Sequence, residues 1–253
     1  MTAQAERVRG GVRVGRSDKR VRALLGGAYV FDTRRALLVW EAPYYPTYYV
    51  PAADVVAELV PTGRTAHSPS RGDAEVLDVA VSTSRAPGAA LHYLSTPVDR
   101  LRDHVRFAWD LLDEWLEEDE PVYTHARDPY TRVDVLASSR HVVVEVDGVV
   151  VADSRTPRIL FETGLPPRFY LPMTDLRMDL LEASEASSHC PYKGTASYWS
   201  LVVGSRRYDD LVWCYRAPFP ESQKIAGLLC FYNEKVDLVV DGERLVRPRT
   251  KFS

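Results

Sequence analysis

A long internal repeat constrains this chain more than any single motif. Asp32-Thr-Arg34 recurs as Asp153-Ser-Arg155, 121 positions later (153 − 32). The same spacing, without a gap, sets Trp40-Glu41 against Phe161-Glu162 and Pro46 against Pro167. It also sets Tyr48-Tyr49-Val50-Pro51 against Phe169-Tyr170-Leu171-Pro172, and Asp54 against Asp175. Matches at acidic, proline and tyrosine positions in one ungapped window mark a duplication. A unit of about 120 residues is a whole domain rather than a solenoid turn. The 253 residues are therefore read as two domains of ordinary size.

Four segments are expected. Residues 1–20 form a basic arm, with Arg7, Arg9, Arg13, Arg16, Lys19 and Arg20 against Glu6 and Asp18. The arm reads as a partly ordered terminus, or else as a strap that crosses the second domain or binds an anion. Residues 21–122 make a first, diverged domain, 123–132 a linker, and 133–253 a second, better-kept domain.

Local patterns favour strands. Val142–Val146 and 149–151 flank Asp147-Gly148, a pair suited to the positive φ angles of a tight hairpin turn. Gly26-Gly27 stands at the same place in the first copy. Arg158–Glu162 reads as a strand, Pro166 and Pro167 break the backbone, and 169–171 resumes it until Pro172. Residues 198–203 and 211–215 read as an antiparallel pair around a turn at 204–210, and 236–240 opens a closing hairpin at Asp241-Gly242.

Two helices are expected. Thr96 and Pro97 suit a helix start, and Val98, Leu101, Val105, Trp109 and Leu112 form an apolar stripe. An offset of 124 (231 − 107) pairs Phe107 with Phe231 and Asp113 with Asp237, so that helix ends near Leu111 and 112–116 is a strand. In the second copy Ile225, Leu228, Leu229 and Tyr232 recur at helical spacing within 220–232. The expected class is mainly β (α+β): each domain a curled antiparallel sheet or open barrel with one principal helix.

Composition excludes several functions. A net charge of −3 gives no pull toward nucleic acid or an acidic membrane surface. No apolar run reaches spanning length, and the N-terminus lacks the apolar core of a signal peptide. Cys190, Cys214 and Cys230 form no CxxC pair, and six scattered histidines show no metal-ligand spacing, so neither metal nor cofactor is expected. Phosphate-cradling and hydrolase motifs are missing as well. The sparse cysteines fit a cytoplasmic protein.

The candidate chemistry lies in the second copy. Ser188-His189-Cys190-Pro191-Tyr192-Lys193-Gly194 is a polar loop rich in reactive types. Lys193 can hold an anion or act as a base if burial lowers its pKa. Cys190 reads either as a small buried hydrophobe or as a thiolate nucleophile. Adjacent strand residues point apart, which disfavours a Cys190–His189 pair. Arg155 and Glu162, matched by Arg34 and Glu41, favour a structural ion pair. Arg177 matches Val56 and Lys193 has no matching lysine, so these one-copy charges are the better ligand candidates. Tyr170, Tyr198, Trp199 and Trp213 could line a pocket for a planar ligand.

Together, Asp153-Ser-Arg155, Glu162-Thr-Gly164, Pro167-x-x-Tyr170-x-Pro172, Asp175-x-Arg177-Met-Asp179, Cys190-Pro-Tyr-Lys193-Gly194, Ala196-x-Tyr198-Trp199, Ile225-Ala-Gly227 and Phe231-Tyr232 resemble a known family. It is the bacterial family catalogued as domain of unknown function four-twenty-seven, which also carries a nucleotidyltransferase-like label. The resemblance covers nearly all of 133–247. Residues 13–122 look like a diverged member in which only His67-Ser68-Pro69 and Gly72 remain near the lost Cys-Pro-Tyr-Lys-Gly run. The resemblance implies two small β-tent-like domains. Some β-tent domains hold zinc through cysteine pairs, which this chain lacks. No phosphate-cradling motif accompanies the nucleotidyltransferase label.

The expected function is a metal-independent cytoplasmic enzyme for a small anionic or aromatic metabolite. Lys193, Tyr192 and Tyr170 would be catalytic, and Arg177, Arg155, Glu162, Tyr198, Trp199 and Trp213 would bind substrate. A non-catalytic module for a small molecule or a protein is the alternative. Neither nucleic acid nor membrane is an expected partner. The two domains are expected to pack as an intramolecular pseudo-dimer, with homo-oligomers a further option.

Overall fold

The computed structural model describes residues 6–7, 12–42, 44–250 and 252–253. The chain divides into two units between Asp128 and Pro129. The first contains β1 (Glu6–Arg7), β2 (Arg13–Arg16), β3 (Val21–Leu25), β4 (Ala28–Thr33), β5 (Leu37–Ala42), β6 (Tyr45–Pro51), β7 (Glu58–Ser68), β8 (Gly72–Val81), β9 (Ser84–Ser95), β10 (His104–Phe107), β11 (Glu114–Glu117) and β12 (Glu120–Pro121). The second contains β13 (Val133–Ala137), β14 (Val142–Val146), β15 (Val149–Ser154), β16 (Arg158–Glu162), β17 (Arg168–Leu171), β18 (Leu181–Cys190), β19 (Gly194–Val203), β20 (Arg206–Tyr215), β21 (Leu229–Phe231), β22 (Asp237–Val240) and β23 (Glu243–Arg244).

Both units have one plan. The first unit's large sheet runs β1-β2-β5-β6-β10-β9-β8-β7, and the second's runs β13-β16-β17-β21-β20-β19-β18. The small sheets run β12-β11-β3-β4 and β15-β14-β22-β23. Leaving out β1, strand matches strand from β2/β13 through β12/β23. All the pairings are antiparallel and every sheet is open. The expected hairpins form: Asp147 and Gly148 have φ of 51° and 76°, and Gly26 and Gly27 have 58° and 77°. The turn between β19 and β20 is tighter than expected. Val203 pairs with Arg206, so most of 204–210 is strand.

Each large sheet buries both faces. One packs on the small sheet, around Phe31, Phe107 and Trp115 in the first unit and Val144, Leu201 and Phe231 in the second. The other face carries a smaller cluster. It contains Val14, Tyr49, Tyr93 and Leu101 in the first unit, and Leu160, Tyr170, Tyr215 and Ile225 in the second.

The expected helices are absent: no α-helix occurs among the described residues. In place of the 96–111 helix stand a 3-10 turn at Asp99–Leu101, the strand β10, and a 3-10 turn at Trp109–Leu111. Asp103, at φ 60°, interrupts any right-handed run. Val105 and Phe107 are buried while His104 and Arg106 are not, and β10 pairs with β6 on one side and β9 on the other. Two rows of ladder bonds outweigh a helix that would be marginal by itself. In the second unit Pro220–Ile225 is a 3-10 helix, Gly227 takes φ 72°, and β21 follows.

Expected boundaries also shift. Residues 1–5 and 8–11 of the arm lie outside the described residues, but β2 pairs with β5 and buries Val14 fully. The head of the expected linker packs on the first unit. Ala126 is buried, His125 stacks on Tyr45 at 4.1 Å, and Asp128 accepts the Trp40 indole N–H at 2.8 Å.

The register explains the repeated acids. Asp54 accepts from the Thr33 hydroxyl at 2.5 Å, and Asp175 from that of Ser154 at 2.6 Å. Asp32 pairs with Arg20, and Asp153 with His141, which occupies the position matching Arg20. These identities hold the β3–β4 and β14–β15 hairpins to their neighbours.

Candidate functional site

Strand register, rather than ungapped spacing, defines the site. In the β18–β19 hairpin Cys190 pairs with Gly194, and in the β7–β8 hairpin Ser68 pairs with Gly72. Each loop holds three residues, so Arg71 occupies the position of Lys193, at an offset of 122 (193 − 71). Likewise Tyr93 occupies the position of Tyr215. Lys193 is therefore not a one-copy charge. Glu41, Tyr49, Arg71 and Tyr93 repeat as Glu162, Tyr170, Lys193 and Tyr215. Both loops need glycine. Gly72 and Gly194 take φ of 84° and 95°, and a Cβ on Gly72 would meet the Ser95 carbonyl at 2.8 Å.

In the second domain, strand alternation points Glu162 toward the face that carries Leu160 and Tyr170. The hairpin loop returns Lys193 to the same place, and its Nζ lies 2.5 Å from Glu162 Oε2. Both side chains are about nine-tenths buried, at 10% and 9% exposure. The backbone carbonyl of Lys193 accepts from Phe219 N–H, and that of Tyr192 from the Ser222 hydroxyl, which ties the loop to the 3-10 cover.

Aromatic rings surround the pair. Trp213 donates its indole N–H to the Tyr170 hydroxyl at 3.1 Å, and the rings meet edge-on. Tyr232 lies 4.5 Å from Trp213, and the Tyr198 hydroxyl meets Ser188 Oγ at 2.7 Å. Burial pushes Tyr170 and Tyr215 well above the ordinary phenol value, and nearby Cys230, Cys190, tyrosines and the Glu162 charge add to it. Both phenols stay protonated at neutral pH and do not serve as bases. Burial also pushes the Cys230 thiol up to about 12.

The other expected residues scatter. Arg177 pairs with Asp179, both more than half exposed, at the turn after the second copy's Asp175. Arg155 does not pair with Glu162; its guanidinium lies 3.5 Å from His141 on the exposed hairpin. Trp199 faces the opposite side of β19, in the core between the sheets. Cys190 is half-buried beside the tyrosines, while His189 bonds Thr195 on the exposed face. Tyr192 sits half-buried in the loop itself. The structure thus unites Lys193, Glu162, Tyr170, Tyr198 and Trp213, and leaves out Arg155, Arg177 and Trp199.

Sequence reasoning missed a second buried ion pair. Arg168 grips Glu234 with two hydrogen bonds, at 2.7 and 2.8 Å, and its guanidinium lies over Trp213 at 5.6 Å. Neither residue belongs to a repeated motif, so no signal marked them. Arg71 did carry a signal, because His67-Ser-Pro-Ser-Arg-Gly72 matches His189-Cys-Pro-Tyr-Lys-Gly194 once a single residue is inserted.

Glu162 also borders a shallow hollow of about 280 Å³, with Arg132, Asp134, Phe161, Thr163 and Leu165. A separate apolar cleft of about 220 Å³ opens on the other face of β16 and β17, at Ile159, Phe161 and Phe169. Among the described residues, no group of three or more His, Cys, Asp or Glu is placed to hold a metal ion. No described helix is long and apolar enough to cross a membrane.

Comparison with curated proteins found no match. The family model described as Domain of unknown function (DUF427), which also carries a nucleotidyltransferase-type label, matches residues 13–118 and again 134–242. Each match spans one set of corresponding strands, and the chain belongs to this family as a tandem pair of its domains.

Proposed function

We propose that the second domain is a metal-independent, cytoplasmic enzyme module acting on a small anionic or aromatic metabolite. The observation that carries this reading is the Lys193–Glu162 pair, set among aromatic rings and bordered by the hollow that Glu162 lines. A ligand entering there would exchange its contacts for those of the pair. Lys193 would hold an anionic group or polarise a carbonyl, and Glu162 would accept the proton. Tyr198 and Trp213 would form the aromatic wall, and Tyr170 would orient Trp213 from behind. The two open sheets of each domain would correspond to a β-tent.

Non-catalytic binding is the second reading, favoured by the first domain. There an arginine replaces the lysine, and arginine keeps its proton. Lys193→Arg therefore separates the two. The full chain and this variant are incubated with a metabolite extract and followed by mass spectrometry. Turnover by the natural chain that is lost in Lys193→Arg supports the enzyme. Saturable retention of an unaltered compound by both supports the binding module. If no compound is retained or altered, the site reading is wrong.

A further inference from the structure

The first domain's version of the constellation has a different charge. Glu41 faces two guanidinium groups, Arg71 Nη1 at 3.9 Å and Arg106 Nη2 at 3.5 Å. The position of Arg106 is taken in the second domain by Cys230, since both stand opposite the repeated tyrosine in the ladder. The second-domain pair is therefore neutral, whereas the first-domain set carries one positive charge in excess. Tyr49 adds no charge: it donates to Glu41 Oε1 at 2.7 Å, and burial together with the Glu41 charge keeps it protonated.

The excess charge is largely, but not fully, withdrawn from bulk water. Arg71, Arg106 and Glu41 are 16%, 27% and 16% exposed. Nor does Glu41 lock either guanidinium, because charge-assisted N–H···O bonds normally close to about 2.7–2.9 Å. Arg71 spends its Nε on the Tyr93 hydroxyl at 3.2 Å, and its Nη1 comes no closer than 3.9 Å to Glu41. Two under-used forks beside a single carboxylate match an oxyanion bridging them.

We propose that the first domain binds a small oxyanion, a carboxylate or phosphate group, between Arg71 and Arg106. Tyr93 fixes the Arg71 fork, and the single charge of Glu41 limits the site to one anionic group. The first domain is then a ligand site in its own right. The inference does not depend on chemistry in the second domain.

The test is calorimetric titration of the full chain with inorganic phosphate and, separately, succinate, at low ionic strength. Saturable binding of at least one is expected, and the better ligand tells phosphate from carboxylate. Arg106→Leu should weaken it at least tenfold, as loss of one charge-assisted contact requires. Arg106→Lys should retain most of it, and Glu41→Gln should tighten it severalfold. No saturable binding of either anion overturns the proposal. So does affinity unchanged in Arg106→Leu, or weakened in Glu41→Gln when that variant melts like the natural chain.

Discussion

Consider Lys193→Met. The substitution removes the cation and leaves Glu162 with a side chain only 9% exposed. Truncating one partner of a buried pair costs about 3–5 kcal/mol, because the surviving charge stays desolvated. For a domain of this size each kcal/mol moves the melting temperature by roughly 3–5 °C, so the second domain should melt about 10–20 °C lower. Adding Glu162→Leu removes the stranded charge, and the double variant should recover most of the loss. The coupling between the two sites would then be about 3 kcal/mol. Native-state hydrogen exchange over β16 and β19 reads the second domain separately from the first. A single-variant cost below about 1 kcal/mol, or additive effects in the double variant, would refute the buried-pair reasoning and make the contact surface-like.

Two further outcomes are expected. Burial opposes ionisation of Glu234, but the Arg168 fork and the Thr250 hydroxyl outweigh it and hold its carboxyl below the ordinary 4.5. The unfolded chain therefore takes up that proton more readily. The stabilisation is fully present above about pH 4.5 and is lost as pH falls through the folded value, and urea midpoints measured from pH 7 to 3 should show less acid loss in Glu234→Gln. Gly72→Ala, which strains a positive φ and meets the Ser95 carbonyl, should cost more than Gly27→Ala, which strains φ alone with no atom within 4 Å. Equal melting shifts would mean that the β7–β8 turn relaxes freely.

Structure set by local physics was legible in the residues themselves. Asp147-Gly148 and Gly26-Gly27 turned as expected because only residues tolerant of positive φ serve there. The helix at 96–111 failed because apolar residues three and four apart also fit two short turns flanking a strand. Only the vacancy between β6 and β9 chooses between them. The offset of 124 paired Phe107 with Phe231 correctly, but both lie in strands, β10 and β21, where helices were expected. The ladders then make Trp115 the counterpart of Leu238, since they stand opposite the equivalent Ala23 and Val144, at an offset of 123 (238 − 115), one residue from the expected alignment.

By itself, then, the sequence determined the duplication, the β character, the main hairpins and the family, since each is written in residue types at fixed spacing. Only the tertiary structure decided which side chains meet. It replaced Arg155 with Lys193 as the partner of Glu162 and turned Trp199 into the core. It also showed Arg71 as the first domain's counterpart of Lys193. The physical reason is that a strand side chain changes face with every residue. A one-residue difference between the copies is therefore small in the sequence but decides which groups face each other once the ladders form.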